Sequence, residues 1–256
     1  MRSLCLEELC VSLSGKSILK EINTQFTGGD FTSILGPNGS GKTTLLKAIM
    51  GMVRSQGRIS CFENTTPVAR LESSYLCQFI HSNCQLTVIE MVLLGFVKQL
   101  SWQVTPEQES QAEQILSEFN LLKIATRRFN TLSGGQQQLV AMAQALVSKP
   151  SMLLLDEPIS ALDIRHQIQV LEIAKDYTKN TKTITITVLH DLSLAARYSD
   201  KFVLLNDGHV VEAGSPAKVL QPELLEQVYQ VKVEVGYCSN GYLHITPTIP
   251  TDINVN

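Results

Sequence analysis

Eight residues, Gly36-Pro37-Asn38-Gly39-Ser40-Gly41-Lys42-Thr43, constrain this chain more than any other stretch. They follow an apolar run, Phe31 to Leu35, that reads as a strand. They precede Thr43 to Met50, where Leu45, Leu46 and Ile49 share one helical face and Gly51 is placed to end the helix. The spacing fits GxxxxGK[ST]. Glycines in this pattern let backbone N–H groups turn inward around phosphate oxygens, and the helix that follows adds the positive end of its dipole. In such a loop Lys42 contacts the β- and γ-phosphates of a nucleotide, and the Thr43 hydroxyl ligates Mg²⁺.

The rest of the chain extends this strand, loop and helix. Short apolar runs separated by Ser14-Gly15-Lys16 and Gly28-Gly29-Asp30 give a β-rich start. Helical signals dominate from Thr87 to about Val147. Thr87 and Glu90 form a capping-box pattern, Thr105-Pro106-Glu107-Gln108 puts proline at a first helical position, and Ala112, Ile115, Leu116 and Phe119 make an apolar stripe. Strand character returns at Met152 to Leu155, Thr183 to Leu189 and Phe202 to Leu205, with helical stretches between, which predicts a parallel sheet. From about Gln221 a C-terminal extension carries a helix and the alternating run Val231, Val233, Val235.

Composition excludes several classes of function. The 256 residues are 44% hydrophobic and 18% charged, an ordinary globular balance. A net charge of -3, with acids and bases dispersed, provides no basic footprint, so nucleic acid is not expected as a partner. Cys5, Cys10, Cys61, Cys77, Cys84 and Cys238 form no CxxC pair, which suggests reduced thiols rather than a zinc site or a disulfide framework. Glu7 and Glu8 interrupt any signal-peptide core, and nowhere do 18 apolar residues follow one another, so a membrane-spanning helix is not expected.

A second motif adds carboxylates. Met152 to Leu155 form a buried-strand run that ends in Asp156 and Glu157, at the end of the sheet where nucleotides bind in such folds. Asp156 is placed to help hold Mg²⁺, and Glu157 to orient or deprotonate an attacking water. Ser133 followed by Gln136 makes a further capping box, and a helix N-terminus with two exposed glycines is a good anion site.

With Leu132-Ser133-Gly134-Gly135-Gln136, Gln78 and His190 in view, the chain resembles the nucleotide-binding subunits of ABC transporters. The phosphate loop, Gln78 as the Q-loop glutamine, the LSGGQ signature, the Met152 to Glu157 Walker B stretch, Ser160-Ala161-Leu162-Asp163 as the D-loop and His190 as the switch histidine occur in the family's order over nearly the whole chain. The resemblance implies an α/β fold: a P-loop NTPase core with a parallel sheet, an N-terminal antiparallel β region and an inserted α-helical subdomain. Residues 1–78 and 148–220 would be the core, 79–147 the helical insert and 221–256 the C-terminal extension. It implies ATP and Mg²⁺ as cofactors. Gly36 to Thr43 with Thr44, and Ser133 to Gln136, would hold nucleotide; Thr43, Gln78 and Asp156 would serve the metal; Glu157, His190, Lys42 and Gln78 would serve catalysis. The family's signature faces ATP held by a second copy, so a homodimer follows, docked on integral membrane permease subunits at the cytoplasmic face of the membrane and served indirectly by a substrate-binding protein. The stretch from Phe79 to Trp102, with Ile80, Met91, Leu93 and Phe96, is the expected docking groove, although Met91 and Leu93 read better as core.

Two departures stand out. Leu13 occupies the position where the family stacks an aromatic residue on adenine, and losing the π face weakens ATP binding by about 1 kcal/mol. Leu139 and Gln144 stand where many relatives carry arginine. Asp207 to Val211, Gly214-Ser215-Pro216, Pro222 to Tyr229 and Ile164 to Gln167 look like importers of iron-siderophore, haem and cobalamin. Three other readings remain: a zinc or manganese importer, from which Gln230 is a small departure, a non-hydrolysing regulatory ABC module, and a small-molecule kinase, which the LSGGQ stretch disfavours.

Overall fold

Turn residues fold the β-rich start back on itself. In the computed structural model, which describes residues 1–77, 85–97, 103–160 and 162–248, β1 (Arg2–Leu13) and β2 (Lys16–Thr27) form an antiparallel hairpin. Next come β3 (Phe31–Leu35), α1 (Lys42–Ile49), β4 (Gln56–Glu63), β5 (Thr66–Val68) and β6 (Ser73–Leu76). Among the described residues three α-helices then lie between β6 and the next strand: α2 (Val88–Leu93), α3 (Pro106–Glu118) and α4 (Gly134–Val147). Each opens on a capping box whose reciprocal bonds are both made, at Thr87/Glu90, Thr105/Gln108 and Ser133/Gln136.

The chain continues through β7 (Met152–Asp156), α5 (Ile164–Thr181), β8 (Ile184–Val188), α6 (Leu192–Tyr198), β9 (Lys201–Asn206) and β10 (His209–Gly214). It ends, among the described residues, with α7 (Pro216–Val219), α8 (Pro222–Tyr229) and the hairpin β11 (Val233–Tyr237) and β12 (Leu243–Pro247). The C-terminal strand starts two residues later than the valine alternation predicts, since Val231 lies outside β11. Gln230 in the left-handed region, with φ 57°, turns the chain out of α8 first.

Six strands make one sheet in the order β10-β9-β3-β8-β7-β6, parallel throughout except for β10. A second, antiparallel sheet has the order β2-β1-β4-β5. The central strands β3, β7 and β8 are buried at every position, which explains their nearly unbroken apolar and β-branched sequences. Alternate residues then divide between two cores. Ile34, Leu154 and Ile186 pack with β1, β2 and α1, whereas Phe31, Leu35, Leu153 and Leu155 pack with the helices on the other face.

This mixed α/β arrangement is the fold the sequence predicts, and its consequence is positional. Because β3, β8 and β7 are neighbours and parallel, their C-terminal ends deliver Gly36, Leu189-His190 and Asp156-Glu157 to one edge.

Candidate functional site

The phosphate loop begins where β3 runs into Leu205. A Cβ at Gly36 would lie 2.1 Å from the Leu205 carbonyl oxygen, and its φ of 141° suits only glycine. The chain then rises through half-buried Pro37 to an exposed tip at Asn38 and Gly39, and returns through buried Ser40 and Gly41. Thr43 and Thr44 are half-buried in the first turn of α1. Gly41 offers that helix no side-chain cap, so the first N–H groups are left for an anion. Ser40 is 3% exposed, and its hydroxyl has no partner among the described residues, a buried donor of the kind a phosphate oxygen would satisfy.

Lys42 arches back over the loop. Its ammonium donates to the carbonyls of Gly36 and Pro37, at 2.8 and 2.9 Å, with the side chain buried. Burial lowers its pKa, and the carboxylates of Glu157 and Asp156 work in the opposite direction. A desolvated ammonium hydrogen-bonded to carbonyl dipoles has more to gain from a phosphate than an exposed lysine has.

Asp156 is 3% exposed and fully engaged. It accepts from the Thr43 hydroxyl at 2.9 Å and from the Tyr75 hydroxyl at 2.8 Å. Burial, followed by the bond to Asp156, pushes the Tyr75 phenol far above its usual range, so Tyr75 stays a donor. A threonine hydroxyl beside a buried carboxylate is a hard oxygen pair suited to Mg²⁺. The sequence does not mark Tyr75, because its strand-like surroundings hold no hint of a partner 81 residues away.

Glu157 departs from the strand in the left-handed region, with φ 52°. Its carbonyl closes a turn by accepting from the backbone N–H and the hydroxyl of Ser160, at 3.2 and 3.0 Å. The carboxylate meets His190 Nε2 at 2.6 Å. A non-glycine residue in this conformation carries a backbone cost of order 1–3 kcal/mol, characteristic of sites whose surroundings enforce it.

Ser133 to Gln136 form a separate group at the start of α4. Ser133 Oγ accepts from the Gln136 N–H at 3.3 Å, and Gln136 Oε1 accepts from the Ser133 N–H at 3.2 Å. Gly134 faces open space, but a Cβ on Gly135 would lie 2.5 Å from the His166 ring. His166 Nδ1 lies 2.8 Å from the carboxylate of Asp163, which also caps α5 by accepting from the His166 N–H at 2.9 Å. That backbone bond, with the side-chain bond to His166, lowers the Asp163 pKa. The sequence marks His166 only as part of a branch pattern, and its packing on the signature is a finding of the structure.

Other expected positions are placed as follows. Gln78, Phe79, Ile80, Ala161 and Trp102 lie outside the described residues. Leu13 is 41% exposed at the end of β1. Leu139, in place of arginine, is buried in the core around α4. Of the expected docking groove, Met91 and Phe96 are buried and Leu93 packs against the core, so Phe96 is corrected from surface to core. Among the described residues no helix is long and apolar enough to cross a membrane.

The ABC transporter family model matches residues 19–160, from β2 through the phosphate loop, the signature and Glu157. An uncharacterized ABC transporter ATP-binding protein of Methanocaldococcus jannaschii is 37% identical, over 84% of this chain and 87% of that protein. The hemin import ATP-binding protein of Mesorhizobium japonicum is 34% identical, over 91% of this chain and 94% of that one. Among solved structures, an inward-facing metal-chelate type ABC transporter superposes with a TM-score of 0.87 at 27% identity, covering 98% of this chain and 99% of that one. The chain therefore belongs to the ABC transporter family, as an ATP-binding subunit.

Proposed function

We propose that this subunit hydrolyses ATP to drive an importer of metal chelates of the iron-siderophore, haem or cobalamin kind. One observation carries the chemistry: Lys42, the Thr43–Asp156 pair and the Glu157–His190 pair converge on one edge of the parallel sheet. The cargo class draws support from the likeness to a hemin import protein and a metal-chelate type transporter.

The loop from Gly36 to Thr44 wraps the phosphates, with the backbone N–H groups from Asn38 onward turned toward them, and Lys42 leaves the loop carbonyls for the β- and γ-phosphates. Thr43 and Asp156 would supply oxygens to hold Mg²⁺, and Gln78 would be a further ligand. When bound, that ion neutralises charge on the β- and γ-phosphates. Glu157 orients and deprotonates the water, and His190, already against Glu157, turns to the γ-phosphate.

Ser133 to Gln136 close on ATP bound by a second copy, which makes the working unit a homodimer with two sites. Permease subunits hold that dimer at the cytoplasmic face of the membrane and pass cargo received from a substrate-binding protein. The cavity of about 390 Å³ between core and insert, lined in part by Met52, Tyr75, Gly95, Val97 and Gln144, is the groove for the permease.

The signature gives a test of its own. Gly135→Ala forces a methyl group against the His166 ring and displaces the signature, so ATPase activity of the assembled transporter falls by about 10²-fold with ATP affinity of the separate subunit unchanged. His166→Ala on that background removes the obstruction and recovers part of the loss. Steady-state phosphate release by the wild type and the two variants is the measurement.

The function itself is tested by reconstituting the subunit and its co-purifying permease into vesicles. Uptake of a ferric chelate, haem or cobalamin that requires ATP and Mg²⁺ on the subunit's side is expected. Uptake of free zinc or manganese instead reassigns the cargo, and tight ATP binding with no phosphate release identifies a regulatory module.

A further inference from the structure

The region after α7 is absorbed by none of the roles above, yet it reaches the phosphate loop. Tyr229, the last residue of α8, accepts a hydrogen bond from the backbone N–H of Gly36 at 2.9 Å, across 193 residues of sequence. Gly36 is the residue at which β3 turns into the loop, and its carbonyl is held by Lys42 at 2.8 Å. Both polar groups of this buried glycine are thus occupied, one by a lysine that must leave when phosphate arrives. Tyr229 then provides the tie that remains.

The rest of the extension fixes Tyr229 in place. Leu225 and Val228, on the same helix, are buried. The Gln230 N–H donates to Glu226 O at 2.8 Å, and the Val233 N–H donates to Glu226 Oε1 at 3.2 Å, so the exit from α8 into β11 is pinned. Through β12 the same segment grips the helix behind His190: the Ile245 N–H donates to Ser193 Oγ at 3.2 Å, and the Arg197 guanidinium lies 4.8 Å from the Tyr242 ring centroid. Burial raises the Tyr229 pKa, so the phenol stays protonated and neutral. Phenylalanine would fill the same space, so packing alone does not account for the hydroxyl.

We infer that Tyr229 is a positioning residue of the ATPase, whose hydroxyl sets the Gly36 peptide and with it the phosphate loop, from a C-terminal extension that also braces the helix following His190. The inference rests on the reading of Gly36 to Thr44 as the phosphate-binding loop. Tyr229 touches no substrate and acts through Gly36. Without its hydroxyl the Gly36 N–H is buried and unsatisfied, and the loop relaxes away from the geometry that receives phosphates.

The test uses the full chain with its permease. Tyr229→Phe should raise the KM for ATP about fivefold, with kcat within about twofold of wild type and Tm lowered by no more than about 4 °C. An unchanged KM overturns the proposal, and so does a fall in kcat at constant KM, the mark of a reduced active fraction. Hydrogen exchange at the Gly36 amide of the wild-type chain gives an answer independent of the variant's folding: a slow amide without nucleotide is expected, and a fast one overturns the proposal. Wild-type chain that binds no ATP overturns the phosphate-loop reading and this inference together. Normal wild-type binding with an indifferent Tyr229→Phe overturns this inference alone.

Discussion

Glu157→Gln should lower phosphate release by about 10²–10⁴-fold, the span of a positioned general base, while leaving ATP bound. The substitution keeps the shape and the φ of 52°, so the turn closed by Ser160 and the reach toward His190 survive. What is lost is the negative charge proposed to accept a proton from water. Lys42, Thr43 and Asp156 are untouched, so the phosphates are still gripped and the signature of a second copy still closes on them. The variant should therefore accumulate as a dimer in ATP, seen as a shift to twice the mass in light scattering. Turnover at the wild-type rate would remove Glu157 from its role as base.

Lys42→Ala should cost about 10²–10⁴-fold in ATP affinity. Two charge-assisted contacts, each worth roughly 1.5–3 kcal/mol, are removed at once, and 1.4 kcal/mol corresponds to a factor of ten. The fold should tolerate the change. Burial opposes the charge on this ammonium, and among the described residues its hydrogen bonds go to the Gly36 and Pro37 carbonyls, which lie in an exposed-tipped loop. Equilibrium titration with a fluorescent ATP analogue, beside a thermal melt, separates the two effects. Wild-type affinity would contradict the proposed phosphate grip.

What the sequence announces are the features whose causes lie close together along the chain. β3, β7 and β8 are legible because strands buried on both faces are apolar or β-branched nearly throughout. The starts of α2, α3 and α4 are legible because a capping box needs partners only three residues apart. The phosphate loop is legible for the same reason.

The partners that complete the site are set by tertiary approach. Tyr75 reaches Asp156, and Tyr229 reaches Gly36, from strands and helices whose own sequences carry no trace of the contact. His166 looks like one residue of a helix start until Gly135 is seen to lack a side chain where the ring sits. Phe96 reads as a surface aromatic in the sequence because spacing does not reveal which residues of a short segment are buried with α4.

The left-handed backbone at Glu157 sets the demands of stability against those of turnover at a single residue. Asparagine or glycine would occupy that conformation with less strain, yet neither could carry a carboxylate to His190. The proposed base thus sits in a conformation that disfavours its own residue type, and relieving that strain by substitution would remove the carboxylate.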